Sequence, residues 1–186
     1  MTEVGEHVAG TAYRDATALD VEAIAALHTD SWRRNYRGAY SDAYLDDDVV
    51  TDRLAVWSHR LARPEAQGNH HTIVAERDSI LIGFAHVILD DDPIWGALLE
   101  NLHVTHDLKG HGIGTRLMAE TAQTVLERTP SSGLYLGVLQ QNKAAQAFYE
   151  ARGGVCVGRN GVRTPGGGTT VTLRYAWADP SKLLLR

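Results

Sequence analysis

The chain has 186 residues and a formal net charge of −5, with 44% hydrophobic and 22% charged residues. This size and composition suit one globular domain with a full core, and the acidic balance argues against a nucleic-acid partner, which would favour a basic face. The single cysteine excludes an intramolecular disulfide and favours a cytoplasmic setting, and no apolar run approaches the roughly 20 residues that span a membrane.

The N-terminal third is predicted to be helical after one short strand. Residues 1–10 are polar and are expected to form a flexible leader, and residues 11–14 a first strand. Asp20 is placed to cap a helix over 20–36, because apolar residues recur there at helical spacing. A second helix is predicted over 52–63.

The remainder alternates between strand and helix patterns. The acidic run Asp90 to Asp92 is expected to end the second strand of a hairpin, and Cys156 is expected to be buried in a later strand. No internal repeat divides the chain, so residues 11–177 are predicted to form one domain and 178–186 a C-terminal tail. Strands are predicted at 72–77, 80–89, 97–104, 134–139, 155–159 and 169–177, with helices ending near 128 and beginning at Asn142.

Three glycines, Gly110, Gly112 and Gly114, fall between a predicted strand and the start of a helix. Glycine lets the backbone approach a ligand closely, and a helix N-terminus carries a positive dipole end, so this turn suits a phosphate. A plain tight turn between strand and helix would also explain the glycines. Their spacing fits neither the dinucleotide fingerprint nor a P-loop.

The segment from Leu99 to Leu117 resembles the acetyl-CoA-binding segment of the GCN5-related N-acetyltransferases, the GNAT family. That family's signature is Gln/Arg-x-x-Gly-x-Gly/Ala, and Lys109, Gly112 and Gly114 occupy its three defined positions. Lys109 departs from the signature because it keeps the charge but lacks the planar fork of arginine. With similar segments at 73–85 and 138–154, the resemblance covers about residues 70–155 and implies an α/β (α+β) fold, with a mixed, mostly antiparallel sheet of about seven strands flanked by about four helices.

The resemblance implies acetyl-CoA as co-substrate and direct attack by a primary amine in a ternary complex. The backbones of Leu102 and Val104 would face the acetyl oxygen in an oxyanion-hole role. Asn142 would hold the cofactor chain, although a helix cap alone also explains it. The implied cofactor-binding residues are Leu102, His103, Val104, Lys109, Gly110, His111, Gly112, Ile113, Gly114, Thr115 and Asn142.

Two catalytic residues are predicted. Tyr149 matches the family tyrosine that protonates the departing thiolate, with packing beside Phe148 as the alternative. Glu100 is the candidate general base, because strand alternation puts it on one face with Leu102 and Val104. A solvated or salt-bridged glutamate is the alternative for Glu100.

An acceptor site is predicted near the end of the first helix, where Trp32, Tyr36 and Tyr40 would contact the substrate unless they serve only as core. The expected acceptor is a small-molecule amine. A protein N-terminal or lysine acetyltransferase and a non-catalytic acyl-CoA-binding module stay open as alternatives, as does a homodimer. The histidines lack the spacing of metal ligands, so no metal site is expected.

Overall fold

A computed structural model describes residues 10–62 and 68–184, which form a seven-stranded sheet with helices on both faces. The strand order is β1-β2-β3-β4-β5-β7-β6, and every neighbouring pair is antiparallel except β4 and β5. The predicted fold class is confirmed. The elements are β1 (Ala12–Asp15), α1 (Val21–Asn35), α2 (Val49–Leu61), β2 (His70–Arg77), β3 (Ile80–Asp92), β4 (Gly96–Val104), α3 (Ile113–Arg128), β5 (Leu134–Leu139), α4 (Lys143–Glu150), β6 (Val155–Arg163) and β7 (Thr169–Trp177).

Strand alternation divides the core between the two faces of the sheet. Val74 and Phe84 pack with Trp57 of α2 in one buried cluster, whereas Ile73 and Ala85 pack in the cluster that contains α3. Consecutive residues within β2 and within β3 therefore point to opposite faces of the sheet, as the two-residue period of a strand requires. The α3 face holds the larger of these two clusters, which extends to β5 and β7.

The parallel pair β4 and β5 is joined only at its beginning. Ala97 pairs with Leu134 and Leu98 with Tyr135, and beyond these positions β5 continues its ladder with β7 alone. β4 meanwhile stays paired with β3 as far as Val104. The two strands therefore diverge, and a gap opens between them on the side of the sheet where the glycine turn follows β4.

A β-bulge in β4 corrects the prediction for Glu100. Val87 pairs with Leu99 and His86 with Asn101, so Glu100 has no partner on β3. The extra residue resets the alternation: Leu99 and Leu102 both belong to the α3 face, whereas Glu100 reaches Arg60 of α2. The prediction that Glu100 shares a face with Leu102 and Val104 was wrong, because strict alternation fails at a bulge.

Asp20 occupies the predicted N-cap position of α1, but its side chain makes no capping hydrogen bond; its carboxylate accepts from the Thr17 backbone N–H at 2.7 Å and from Arg14 at 2.8 Å. Two other local predictions were wrong. β3 runs on through the acidic residues to Asp92, with an irregularity of the ladder where Asp90 adopts a φ of 52°. Cys156 is exposed on β6, which is the edge strand of the sheet.

The termini are described in part. Of the predicted leader, only Gly10 belongs to the described residues. Arg63, the predicted end of the second helix, also lies outside the described residues. In the predicted tail, Pro180–Leu183 form a 3-10 turn in which Pro180 and Leu183 are buried. Leu183 belongs to the core cluster of the α3 face.

Candidate functional site

The gap between β4 and β5 holds a cavity of about 430 Å³. Its walls are the diverging strands, the turn before α3, helix α4 and the last turns of α1. The structure brings most of the predicted site residues together around it. The predicted residues that line the cavity are Tyr36, Glu100, Leu102, His103, Val104, Lys109, Gly110, Gly112, Gly114, Thr115, Asn142 and Tyr149.

The glycine turn has the backbone that the sequence pattern predicts. Gly110 and Gly112 have φ values of +84° and +83°, a backbone conformation that residues other than glycine rarely adopt. A Cβ built on either residue would meet no atom within 4 Å, so both face open space. The first hydrogen bond of α3 runs from the Arg116 N–H to the Gly112 carbonyl, and the amides of Ile113 to Thr115 lie before it. Such amides have no acceptor within their helix and suit an anion.

Helix α4 is capped at its start and fixed against this turn near its end. The Asn142 side chain accepts from the Ala145 N–H at 3.1 Å, which confirms the predicted cap. A Cβ on Gly114 would lie 3.4 Å from the Phe148 ring, so the missing side chain allows α3 and α4 to approach closely. Arg152, which follows α4, donates to the Thr115 hydroxyl at 3.0 Å and also lines the cavity.

Tyr149 lies on the cavity wall within an aromatic cluster. Its ring centroid is 5.3 Å from that of Phe148, 6.2 Å from Tyr175 and 6.1 Å from Trp177, and it is 9% exposed. Burial raises the pKa of its phenol to about 12. Tyr149 is therefore protonated at neutral pH and presents a hydrogen-bond donor. The packing alternative is therefore realised, and the same side chain borders the cavity.

Glu100 lies at the cavity but is held in an ion pair. Its carboxylate is 2.6 Å from Arg60 Nη1, and Arg60 also donates to Asn101 at 3.3 Å and lies over the Trp57 ring. The two side chains are 32% and 17% exposed. The salt-bridged alternative and a place beside the cavity are thus both realised.

The side chain of His103 faces α1 rather than the glycine turn. Its Nδ1 lies 2.7 Å from the Ser31 hydroxyl, and Asn35 donates to the Ser31 carbonyl at 2.7 Å. Burial, with a smaller contribution from the positive charge of Lys109, lowers the pKa of His103 to about 3. The ring is neutral and cannot serve as a cationic phosphate ligand. Ser31 and Asn35 line the same wall, and sequence analysis did not single them out as site residues.

The aromatic residues of the predicted acceptor region form one cluster. Trp32 stacks on Tyr36 at 5.2 Å and meets Tyr40 edge-on at 5.1 Å, and the Arg53 guanidinium lies 4.3 Å from the Trp32 centroid. Of the three predicted residues, only Tyr36 borders the cavity. Trp32 is 7% exposed and packs with Tyr44.

Two negative findings apply to residues 10–62 and 68–184. These residues contain no group of three or more histidine, cysteine, aspartate or glutamate side chains placed to hold a metal ion. No helix formed by them is both long enough and apolar enough to cross a lipid bilayer.

A sheet that splays at one parallel pair, with a glycine turn leading into a helix at the mouth of the splay, defines an acyltransferase architecture that binds acyl-CoA. Residues 17–154 match the model of the Acetyltransferase (GNAT) family, and the chain belongs to that family. It is an acyltransferase.

One of two similar curated proteins carries an N-acetyltransferase activity in its name. A probable N-acetyltransferase of Mycobacterium tuberculosis is 29% identical over 142 residues, which is 75% of this chain and 76% of that protein. The protein ElaA of Escherichia coli is 26% identical over 86 residues, covering 46% of this chain and 54% of its own length.

Solved structures share the fold. The PaiA N-acetyltransferase of Thermoplasma acidophilum, solved in complex with coenzyme A, superposes with a TM-score of 0.68 at 21% identity, over 90% of this chain and 99% of that chain. A ribosomal-protein-alanine N-acetyltransferase of Brucella melitensis gives a TM-score of 0.66 at 24% identity, over 89% and 98%. At these identities the likeness establishes the fold alone.

Proposed function

We propose that this chain is an acetyl-CoA-dependent N-acetyltransferase that acetylates a primary amine of a small molecule, by direct attack in a ternary complex. The observation that carries the proposal is one continuous cavity that joins the glycine turn to Tyr149 and Glu100. An anion site, a proton donor and a carboxylate thus share a single space. Acyl transfer from a phosphorylated donor to an amine needs these three functions together.

The residues present fit a coenzyme A molecule. Gly110 and Gly112 leave open space in front of the turn, and the N-terminal amides of α3 point a positive dipole end toward it. Below the turn, the edge of β4 near Leu102 and Val104 is not paired with β5. Main-chain amides on that edge are suited to donate hydrogen bonds to the thioester oxygen of a bound donor. Such bonds would stabilise the negative charge that develops on this oxygen during attack.

Tyr149 is proposed to assist the departing sulfur. A phenol with a pKa of about 12 stays protonated beside a thiolate whose unperturbed pKa is roughly 8.5. Tyr149 therefore stabilises the developing negative charge by donating a hydrogen bond, and full proton transfer from it would be uphill by about 5 kcal/mol. Its packing against Tyr175 and Trp177 fixes the ring for this role.

Glu100 is proposed to receive the proton of the attacking amine, directly or through a water molecule. It stands at the bulge of β4 and opens onto the cavity, while Arg60 orients its carboxylate from the α2 side. A carboxylate held by one guanidinium keeps lone pairs free for a second hydrogen bond. The ion pair therefore orients Glu100 and leaves it able to accept a proton.

The acceptor is proposed to enter beside α1, where Ser31, Asn35 and Tyr36 border the cavity. These side chains offer polar groups and one aromatic ring at the α1 side of the cavity, beside the space proposed for the donor. Trp32 and Tyr40 would act here by holding Tyr36 in place.

A thiol-release assay tests this function. Acetyl-CoA is incubated with the protein and a panel of small amines, and in parallel with peptides that carry free N-terminal or lysine amines. Release with small amines supports the proposal. Release only with peptides would instead assign a protein acetyltransferase, and tight coenzyme A binding without release from any amine would assign a non-catalytic module.

A further inference from the structure

Arg152 occupies a fixed position between the two helices that border the cavity. It follows α4, and its side chain runs back to the first turn of α3. Nε donates to the Thr115 hydroxyl at 3.0 Å, Nη1 donates to the Phe148 carbonyl at 2.9 Å, and the guanidinium carbon lies 3.6 Å from the Phe148 ring centroid. These contacts orient the guanidinium plane before any ligand arrives.

The charge of Arg152 is not neutralised by the protein. No carboxylate of residues 10–62 or 68–184 forms an ion pair with it, whereas Arg116, one residue beyond Thr115, pairs with Glu120 at 2.5 Å. Arg152 is half-buried, and burial lowers its pKa. It also touches the N-terminal turn of α3, whose dipole end is positive. A desolvated cation beside a positive helix end is unfavourable until an anion joins them.

We propose that Arg152 binds the pyrophosphate of the acyl donor, as a side-chain ligand additional to the amides of the glycine turn. The inference rests on the proposed function, since the donor is the acetyl-CoA assigned above. The guanidinium carries five N–H groups, and among residues 10–62 and 68–184 its hydrogen bonds go only to the Thr115 hydroxyl and the Phe148 carbonyl, so N–H groups remain available to phosphate oxygens. Lys109, at the start of the same turn, is exposed and also lines the cavity, so it would supply a second cation to the anion.

Two other assignments of Arg152 compete with this one. It could act only as a clasp that ties α3 to α4 through Thr115 and Phe148. It could also bind the 3′-phosphate of coenzyme A, because it borders a second pocket that includes Lys182. The contact with the first turn of α3, where the pyrophosphate amides lie, favours the pyrophosphate.

The experiment measures dissociation constants by calorimetry for coenzyme A and for 3′-dephospho-coenzyme A. Arg152→Met keeps the aliphatic length and removes the charge, and Arg152→Lys keeps the charge and removes the fork. Arg116→Met is the matched control, because it removes a nearby arginine that already has a carboxylate partner. Melting temperatures of the ligand-free variants check that each folds.

We expect Arg152→Met to weaken coenzyme A binding by about tenfold or more, Arg152→Lys by less, and Arg116→Met by less than about twofold. The same loss with 3′-dephospho-coenzyme A supports the pyrophosphate contact. The salt dependence of binding should also fall in Arg152→Met, because one cation no longer neutralises the ligand.

Three results would overturn the inference. Unchanged binding by a folded Arg152→Met would leave only the clasp. A loss seen with coenzyme A but absent with 3′-dephospho-coenzyme A would move the contact to the 3′-phosphate. Failure of the wild-type protein to bind coenzyme A at all would remove the proposed function together with this inference, whereas the first two results would leave that function standing.

Discussion

Replacing Tyr149 with phenylalanine removes one hydroxyl from the proposed catalytic site and preserves the ring. The ring is 9% exposed and keeps its contacts with Phe148, Tyr175 and Trp177. No group within residues 10–62 and 68–184 is hydrogen-bonded to that hydroxyl, so its removal leaves no partner unsatisfied. We therefore expect the free energy of unfolding to change by less than about 1 kcal/mol.

The effect on catalysis is expected to be larger than the effect on stability. A hydrogen bond to a charged group contributes roughly 1.5–3 kcal/mol, and each 1.4 kcal/mol of lost transition-state stabilisation is about tenfold in rate. Tyr149→Phe should therefore lower turnover at least tenfold and about a hundredfold at most, with little change in the affinity for acetyl-CoA. Uniform loss of binding is not expected, because the hydroxyl interacts only when charge develops on the sulfur.

Thiol release under saturating acetyl-CoA, combined with calorimetric affinity, measures both quantities. The comparison should be made between about pH 6 and 9, where a phenol with a pKa of about 12 stays protonated. Because this pKa is raised above the unfolded value near 10, the associated stability is present below about pH 10 and is lost as the pH rises toward 12. A Tyr149→Phe protein with wild-type turnover would refute the assignment of the sulfur-assisting donor.

Three further predictions address the base, the turn and the core. Glu100→Gln should lower turnover by about a hundredfold. Glu120→Gln is the control, because it removes another salt-bridged carboxylate and should leave turnover unchanged. Wild-type turnover in Glu100→Gln would mean that the proton leaves by another route. Gly112→Ala should lower the free energy of unfolding by about 1–2 kcal/mol, because residue 112 has a φ of +83°, and calorimetry should show weaker coenzyme A binding. Gly161→Ala is the control, because Gly161 also faces open space but has no positive φ. Equal effects of the two substitutions would contradict the argument. Burial lowers the pKa of His86 to about 2. Its contribution to the free energy of unfolding is therefore present above about pH 6.5 and falls by about 2 kcal/mol between pH 6.5 and 5. Urea unfolding of His86→Gln should show stability that depends less on pH than in the wild type, and an identical pH dependence would show that this histidine does not titrate as inferred.

The sequence predicted the architecture well because periodic burial is a local signal. Apolar residues of α3 recur at helical spacing and do pack on the sheet, and the glycines of the turn were placed by their position between a strand and a helix. The capping role of Asn142 was also readable, because the cap and the amide that it binds are three residues apart.

The parts that the sequence did not predict depend on contacts between distant residues. The pairing of Glu100 with Arg60 joins β4 to α2, and no spacing rule links them. The contact of Arg152 with Thr115 spans 37 positions of the chain, so no local pattern predicts it. Cys156 was expected to be buried, but whether a strand lies at the sheet edge is set by strand order, which the local pattern does not contain.

The bulge at Glu100 connects the shape of the cavity to its chemistry. β4 pairs with β5 only at Ala97 and Leu98, and the bulge follows within two residues of the last pair. An inserted residue bends its strand and increases the local twist, and here it turns the Glu100 carboxylate toward Arg60. A strand with strict alternation would have kept Glu100 on the face of Leu102. The candidate base therefore stands at the point of β4 where the pairing with β5 has just ended and the space for the donor begins.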